Sequence, residues 1–325
     1  MDDLSQLKKV GINLGGTTFG ALSTSFTRGL LATSFSVTPK QTVERVPEIR
    51  GDLSTLRVTK GILSYEPSLT FPLDTGDADS AGLGDFLASL FGTETGATAG
   101  AGLYTHTFTV NNTGAPPALN LYSNKDAVAK QIVGFRVGQV KITIKATEPV
   151  IQVEVSGIAK DESDLAETQT LAYCNSAIIT PQMASALTLG GAACNFEDIT
   201  ITITREQESK KYIDNTRVIN DLVSGKTFQV TIEATGVNFA NETERAKFKD
   251  GTSSSFVLTL TDDVSNYITF NFSEIYYQSW EDPTLNDSNV LTIGLAALAT
   301  GALTGVWVTI KNAYAKRYDT GADIT

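Results

Sequence analysis

His106 is the only histidine in the chain, and imidazole is the side chain whose ordinary titration lies nearest neutral pH. Its neighbours Tyr104, Thr105 and Thr107 supply neither carboxylate nor thiol, so His106 reads as structural. Paired carboxylates come next. Glu206 and Glu208 near Asp214, and Asp282 near Glu281 and Asp287, have the residue types of a glycosidase pair. They sit in charged connections with Trp280 as the one aromatic nearby, and read as solvated surface. Asp282, Asn286, Asp287 and Asn289 could face a Ca²⁺ ion, but they lack the alternate spacing of a calcium loop. Gly190-Gly191 is a turn rather than a phosphate cradle, and no Walker loop, nucleophile elbow or CxxC occurs. Asn111-Asn112-Thr113 and Asn241-Glu242-Thr243 match glycosylation acceptors by chance at this Asn and Thr content. The sequence predicts no catalytic residue, no cofactor and no metal: it does not read as an enzyme.

Composition agrees. The 325 residues are 41% hydrophobic and 19% charged, enough apolar material for a core and too little charge for disorder. A net charge of −11 argues against a protein that grips nucleic acid, which needs a positive footprint to displace counterions. Met1-Asp2-Asp3 leads into no apolar signal region, so folding in the cytoplasm is expected, with Cys174 and Cys194 reduced and buried. The uncharged run Val290 to Ile310 is diluted by Gly and Thr, and reads as two buried elements joined by a turn rather than a membrane span.

Period-2 alternation dominates. Phe35 to Lys40, Leu63 to Phe71, Val140 to Lys145 and Ile151 to Val155 each place apolar residues on one face and polar ones on the other. Pro39 and Pro67 remove ladder donors and point to edges or bulges. The second half repeats the order: Ile199 to Thr204, Thr227 to Glu233, Phe256 to Leu260, Ile268 to Tyr277 and Val306 to Ile310 answer the strands near Phe35, Leu63, Ala118, Ile132 and Ile151. Each half holds one helix. Ser80 is the expected cap for Leu83, Phe86, Leu87, Leu90 and Phe91, with Gly92 as the stop; Asn241 is the expected cap for Glu242 to Lys249, with Ala246 and Phe248 as apolar contacts. The acidic stretch from Lys160 to Gln169 reads as the linker.

Within Leu83 to Leu121 the order is a Gly-Leu-Gly-Asp-Phe-Leu-x-x-Leu-Phe-Gly helix, a Gly/Ala/Thr-rich loop, Leu103-Tyr104-Thr105-His106-Thr107-Phe108-Thr109, then Pro117-Ala118-Leu119-Asn120-Leu121. With Gly134-Phe135-Arg136-Val137 and the closing Val308 to Tyr314, this resembles the tail tube proteins of long-tailed bacteriophages, in the branch with a duplicated tube domain. The resemblance implies a mainly β fold of two tandem β-sandwich or barrel-like domains, each with a flanking helix. The first would span 1–165, with an N-terminal arm 1–34 and a long loop 92–117; the second would span 166–325. It also implies stacked rings, trimeric if three chains supply six domains, forming a hollow tube in the virion tail. Implied partners are other copies, other tail proteins and transiently passing DNA, with no specific binding, no membrane and assembly in the host cytoplasm. The second half has no counterpart of the 92–117 loop.

A tube wall wants a polar, weakly sticking inner face, since duplex DNA presents a charge roughly every 1.7 Å and cations would hold it. The polar faces of the alternating strands fit: Ser36, Thr38 and Lys40; Ser64, Glu66, Ser68 and Thr70; Thr200, Thr202 and Thr204; Thr227, Gln229, Thr231 and Glu233. The sets around Ser64 and Thr227 are the lumen-facing candidates. Ile12, Leu14, Leu103 and Tyr104 lie in or beside Gly-rich segments that cannot form a core alone, and are the candidate inter-subunit contacts. Two alternatives remain at this stage: a tandem β-sandwich binding protein or adhesin, and a non-tubular tail hub or terminator.

Overall fold

The computed structural model describes residues 9–15, 19–46, 57–77, 79–111, 115–125, 128–165, 169–175, 177–214, 216–235, 242–262, 266–280, 293–297 and 306–324. The first half contains β1 (Lys9–Leu14), β2 (Arg28–Leu30), β3 (Ser34–Val46), β4 (Arg57–Pro72), α1 (Leu83–Phe91), β5 (Gly92–Gly100), β6 (Leu103–Val110), β7 (Leu119–Lys125), β8 (Val128–Lys145), β9 (Gln152–Ile158) and β10 (Asp161–Leu165). The second contains β11 (Ala184–Leu189), β12 (Ala192–Ala193), β13 (Asp198–Lys210), β14 (Asp221–Thr235), α2 (Glu242–Asp250), β15 (Ser254–Thr261), β16 (Tyr267–Trp280), β17 (Ile293–Ala297) and β18 (Val306–Asn312). Among the described residues the strand ladders are antiparallel, as short connections permit.

The halves share one pairing scheme. β3–β4 corresponds to β13–β14, and β7–β8 to β15–β16. β9 lies between β8 and β4 just as β17 lies between β16 and β14. Bulges recur at matching places: Gln41/Val43 and Arg205/Gln207, Leu119/Leu121 and Ser254/Phe256, Val137/Gln139 and Tyr277/Ser279. Bulges locally redirect a strand, so their recurrence aligns the halves residue by residue. One sequence match shifts. Val306 to Ile310 was expected to answer Ile151 to Val155, but by pairing β17 takes that place and β18 takes the place of β10. The Gly and Ala of β17 hide its alternation, and the acids of Asp161–Leu165 disguise a strand as a linker.

The halves are also stitched together. β13 pairs with β8 from Asp198↔Lys145 to Thr204↔Gln139, and β18 pairs with β6 from Trp307↔Thr109 to Asn312↔Tyr104. The stretch 92–117, expected as a loop, is mostly the β5–β6 hairpin, because Thr-rich alternation around His106 and Phe108 gives it a buried face. Its tip turns through Gly100, Ala101 and Gly102, all at positive φ.

α1 is buried along its full length and packs on β5, β6 and β8, with the Phe71 and Phe86 rings 5.3 Å apart. Burying each of Phe86, Leu87, Leu90 and Phe91 contributes about 1.5–3 kcal/mol, and Leu87→Ala is expected to cost about 2–5 kcal/mol. The helix begins with Gly82 as N-cap, not Ser80: Gly82 N–H donates to Asp85 Oδ2 at 3.1 Å, while Ser80 Oγ accepts from Asp77 N–H. Gly92, in the left-handed region at φ 86°, ends it as expected. The last carbonyls are met from the other half, Arg205 Nη1 donating to both Leu90 O and Phe91 O at 2.9 Å. In α2 the buried side chain is Glu244, held by Lys247, Ser254 and Tyr277, whereas Ala246 is exposed. Asn241, its expected cap, lies outside the described residues. Cys174 and Cys194 form no disulfide and are buried, and burial pushes the Cys194 thiol up to about 11.

Candidate functional site

The long sheet β3–β4–β9–β8–β13–β14 has two chemically distinct faces, and its register makes each one continuous. One polar row runs Ser36–Ser68–Ser156–Gln139–Thr204–Gln229. The next runs Ser34–Thr70–Glu154–Lys141–Thr202–Thr231. A third runs Gln152–Thr143–Thr200–Glu233–Gly294–Ser279, carrying the face through β17 to β16. Described side chains in these rows are half-buried or exposed. The alternate rows are apolar: Phe35–Leu69–Val155–Val140–Ile203–Val230 and Phe71–Val153–Ile142–Ile201–Ile232. All but Phe35 are buried, because a side-chain period of two sends the whole alternate set to the core.

Every lumen-facing candidate named from sequence lies on the polar face. Ser64, Glu66, Thr70 and Thr231 are half-buried, and Ser68, Thr227, Gln229 and Glu233 are exposed. Sequence reading missed the middle of the face, Gln139, Lys141, Thr143, Glu154 and Ser156. The alternation of β8 and β9 signalled their exposure, but the register that aligns them with the other strands is tertiary. Three lysines along this face stand beside acids: Lys40 Nζ is 2.6 Å from Glu66 Oε1, Lys141 Nζ is 3.7 Å from Glu154 Oε2, and Lys145 Nζ is 2.6 Å from Glu148 Oε1. Such exposed pairs add little stability, but they keep the face from presenting bare cations.

Of the contact candidates, Ile12 is 1% exposed, inside this chain's own core between β2 and β7. Leu14, Leu103 and Tyr104 are half-buried. Leu14 borders two clefts, one with Arg28, Asp85, Tyr314 and Tyr318, the other with Phe19, Pro116, Arg136 and Asp319.

His106 has a carboxylate partner after all, brought across the hairpin. His106 Nδ1 lies 2.7 Å from Glu94 Oε1 and Nε2 lies 3.0 Å from Tyr314 O, where the carbonyl can only accept. Glu94 Oε2 accepts the backbone N–H groups of Tyr318 and Asp319. Nearby, Arg28 pairs with Asp85 through both nitrogens, at 2.5 and 2.9 Å, and lies over the Tyr314 ring at 4.4 Å. Burial alone would lower the Arg28 pKa, but Asp85 holds it above the ordinary value. The cluster is a clamp on residues 314–319, with His106, Glu94, Arg28 and Asp85 spent on backbone or on a neighbour.

Of the other carboxylates named from sequence, three are described. Glu206 and Glu208 are exposed on β13, and Asp214 organises a turn, its carboxylate held well below the usual range by Asn220, Lys211 and Thr216. Glu281, Asp282, Asn286, Asp287 and Asn289 lie outside the described residues. Among the described residues no group of three His, Cys, Asp or Glu could hold a metal ion, and no helix is long and apolar enough to cross a membrane.

A broad β-sheet, polar on one face and sealed on the other, suits a structural β protein. Comparison with known families agrees: the model for phage tail tube proteins matches residues 14–319, and the chain belongs to that family. It is a structural protein of the bacteriophage virion, part of the tail tube. No curated protein matches the chain.

Proposed function

We propose that the chain is a tandem of two tube domains, 1–165 and 166–325, that closes into rings and stacks into the hollow tail tube through which the genome passes. Three chains then supply six domains per ring. The polar rows line the channel, with Ser64, Glu66, Ser68, Thr70, Thr227, Gln229, Thr231 and Glu233 on the lumen. Leu14, Leu103 and Tyr104 contact neighbouring subunits, with Ile12 supporting Leu14 from within. Assembly takes place in the host cytoplasm, and DNA passes without specific binding.

The observation that carries this reading is the unbroken polar face that crosses from one half to the other along the β8–β13 ladder. Two independent modules would not need a shared register; a wall does. Hydroxyls, amides and paired charges offer passing phosphates no array of free cations, which is what lowers retention. Electron microscopy of the purified protein tests the reading. Uniform hollow filaments with a regular axial repeat are expected; rings that never stack would instead mark a terminator or hub, and monomers under every assembly condition would defeat it.

A further inference from the structure

The segment Gly134-Phe135-Arg136-Val137 on β8 holds a cation that the polar face does not use. Arg136 is 5% exposed and lines the open cleft, about 430 Å³, bordered by Leu14, Phe19, Pro116, Pro117 and Asp319. Among the described residues its Nε and Nη1 have no hydrogen-bond partner. The acid paired with it, Asp221, stands 3.7 Å from Nη1, beyond hydrogen-bond length, and lies outside the residues that line the cleft. Arg136 Cζ lies over the Phe19 ring at 4.8 Å, a stack that covers a face of the guanidinium and leaves the N–H groups of its edge unmet.

A guanidinium keeps its charge when buried, so one without acceptors is costly. Burial pulls the Arg136 pKa below its ordinary value, against the opposite pull of Asp221. The shared fold does not demand an arginine here. The recurring bulges set Arg136 on Tyr276, whose hydroxyl donates to Glu274 Oε1 at 2.8 Å within its own strand. Charge around the cleft also runs against the net −11 of the chain. Arg136, Lys160 beside Phe19, Arg205 beside Gly92, and Arg317 outnumber Asp221, Asp319 and Glu94. Asp319 Oδ1 also lacks a hydrogen bond, but Arg317 meets the charge of Asp319 at 2.5 Å.

We infer that this cleft is a socket for an acidic side chain of a second copy of the chain, whose carboxylate supplies the acceptors that Arg136 lacks. A planar guanidinium is matched by the planar oxygens of a carboxylate. The apolar walls of Leu14, Phe19, Pro116 and Pro117 suit the methylene stem of an Asp or Glu better than a hydrated phosphate. Leu14, a subunit-contact candidate, borders the same cleft, and 36 acids against 25 lysines and arginines leave the chain rich in groups to offer. The inference deepens the ring reading and rests on it.

Assembly of the full chain tests it with two variants. Arg136→Met removes the charge and keeps the bulk. The isolated variant should melt no lower than the parent, because an apolar side chain replaces a poorly paired buried charge. The concentration it needs for assembly should rise roughly tenfold or more. Ala115→Trp, at an exposed position on the rim, plugs the cleft and should raise that threshold too. Sodium acetate, compared with chloride at equal ionic strength, should raise the threshold of the parent and leave that of Arg136→Met unmoved. A lower melting temperature for Arg136→Met with an unchanged threshold would make Arg136 an internal strut and overturn the socket. Unchanged assembly by Ala115→Trp would overturn it as well, even where Arg136→Met fails to fold. So would acetate that stabilises the parent without hindering assembly, the mark of a site for free carboxylate. Normal tubes from both variants would leave the ring reading standing, whereas a parent chain that forms no oligomer would sink both.

Discussion

Glu94 and His106 face each other across the β5–β6 hairpin at 2.7 Å, both fully buried, and together they fasten the backbone of residues 314–319. Removing one member of a buried, hydrogen-bonded pair leaves the other uncompensated, at a cost of about 3–5 kcal/mol. His106→Ala should therefore lower stability in denaturant titrations by that order and expose the chain after Asn312 to proteolysis. Unchanged stability with a protected C-terminal segment would show that the clamp is not holding it.

Arg205 joins the halves through the C-terminal end of α1. A charge-assisted hydrogen bond is worth about 1.5–3 kcal/mol, and Arg205 makes three, to Leu90 O, Phe91 O and Asn111 O. Burial, with Arg136 nearby, pulls its pKa down to about 10, so it remains charged at neutral pH. Arg205→Met should cost about 3 kcal/mol, and hydrogen exchange should quicken in both α1 and β13. Faster exchange in β13 alone would mean that α1 does not depend on this residue.

Asp74 gives a pH signature. It is 4% exposed, and burial pushes its carboxyl up to about 6 although Gly76 N–H donates to it. With the folded pKa above the ordinary 3.8, the native state takes up a proton before the unfolded chain does. This group therefore adds stability as the pH falls from about 6 towards 4 and opposes folding above that window. Asp74→Asn keeps an acceptor for Gly76 and removes the charge. Its Tm should exceed that of the parent at pH 8, with the difference shrinking by pH 4; a constant offset across that range would contradict the assignment.

The exposed tip of the hairpin is the part of 92–117 that can be changed without opening the core. Deleting 92–116 outright would take Glu94, His106 and Phe108, all buried, and unfold the neighbourhood. Replacing Thr98 to Gly102 with a two-residue Asn-Gly turn should leave the melting transition within about 1 kcal/mol of the parent but stop filaments from elongating. Normal tubes from this variant would remove the tip from the stacking contacts.

These outcomes mark where local sequence stops being informative. The alternation in Val140 to Lys145 and Ile199 to Thr204 is visible as period two, and so are the buried face of α1 and its Gly92 stop, because those signals are local. That Ile142 sits beside Ile201, or Thr143 beside Thr200, is set by ladders between distant strands. Glu94 is twelve residues from His106 and invisible in its immediate window, yet the hairpin makes them partners. Strand β17 falls in the first of the two elements read between Val290 and Ile310, but its strand type was hidden because Gly and Ala are weak markers of a pleated surface.

The wall makes a charge prediction. Glu66, Glu154 and Glu233 lie on the polar face, the first two beside lysines. Changing all three to Lys would turn a neutralised surface into one that displaces counterions from phosphates. Tubes should still form, but should retain duplex DNA at low salt and release it as salt rises. No retention at any ionic strength would place this face away from the DNA.

Cryo-electron microscopy of the assembled filaments decides the central claim. The account predicts a hollow tube whose inner surface carries Ser68, Lys141, Thr202 and Thr231. A filament bearing those residues on its outer surface, or one without a channel, would contradict it.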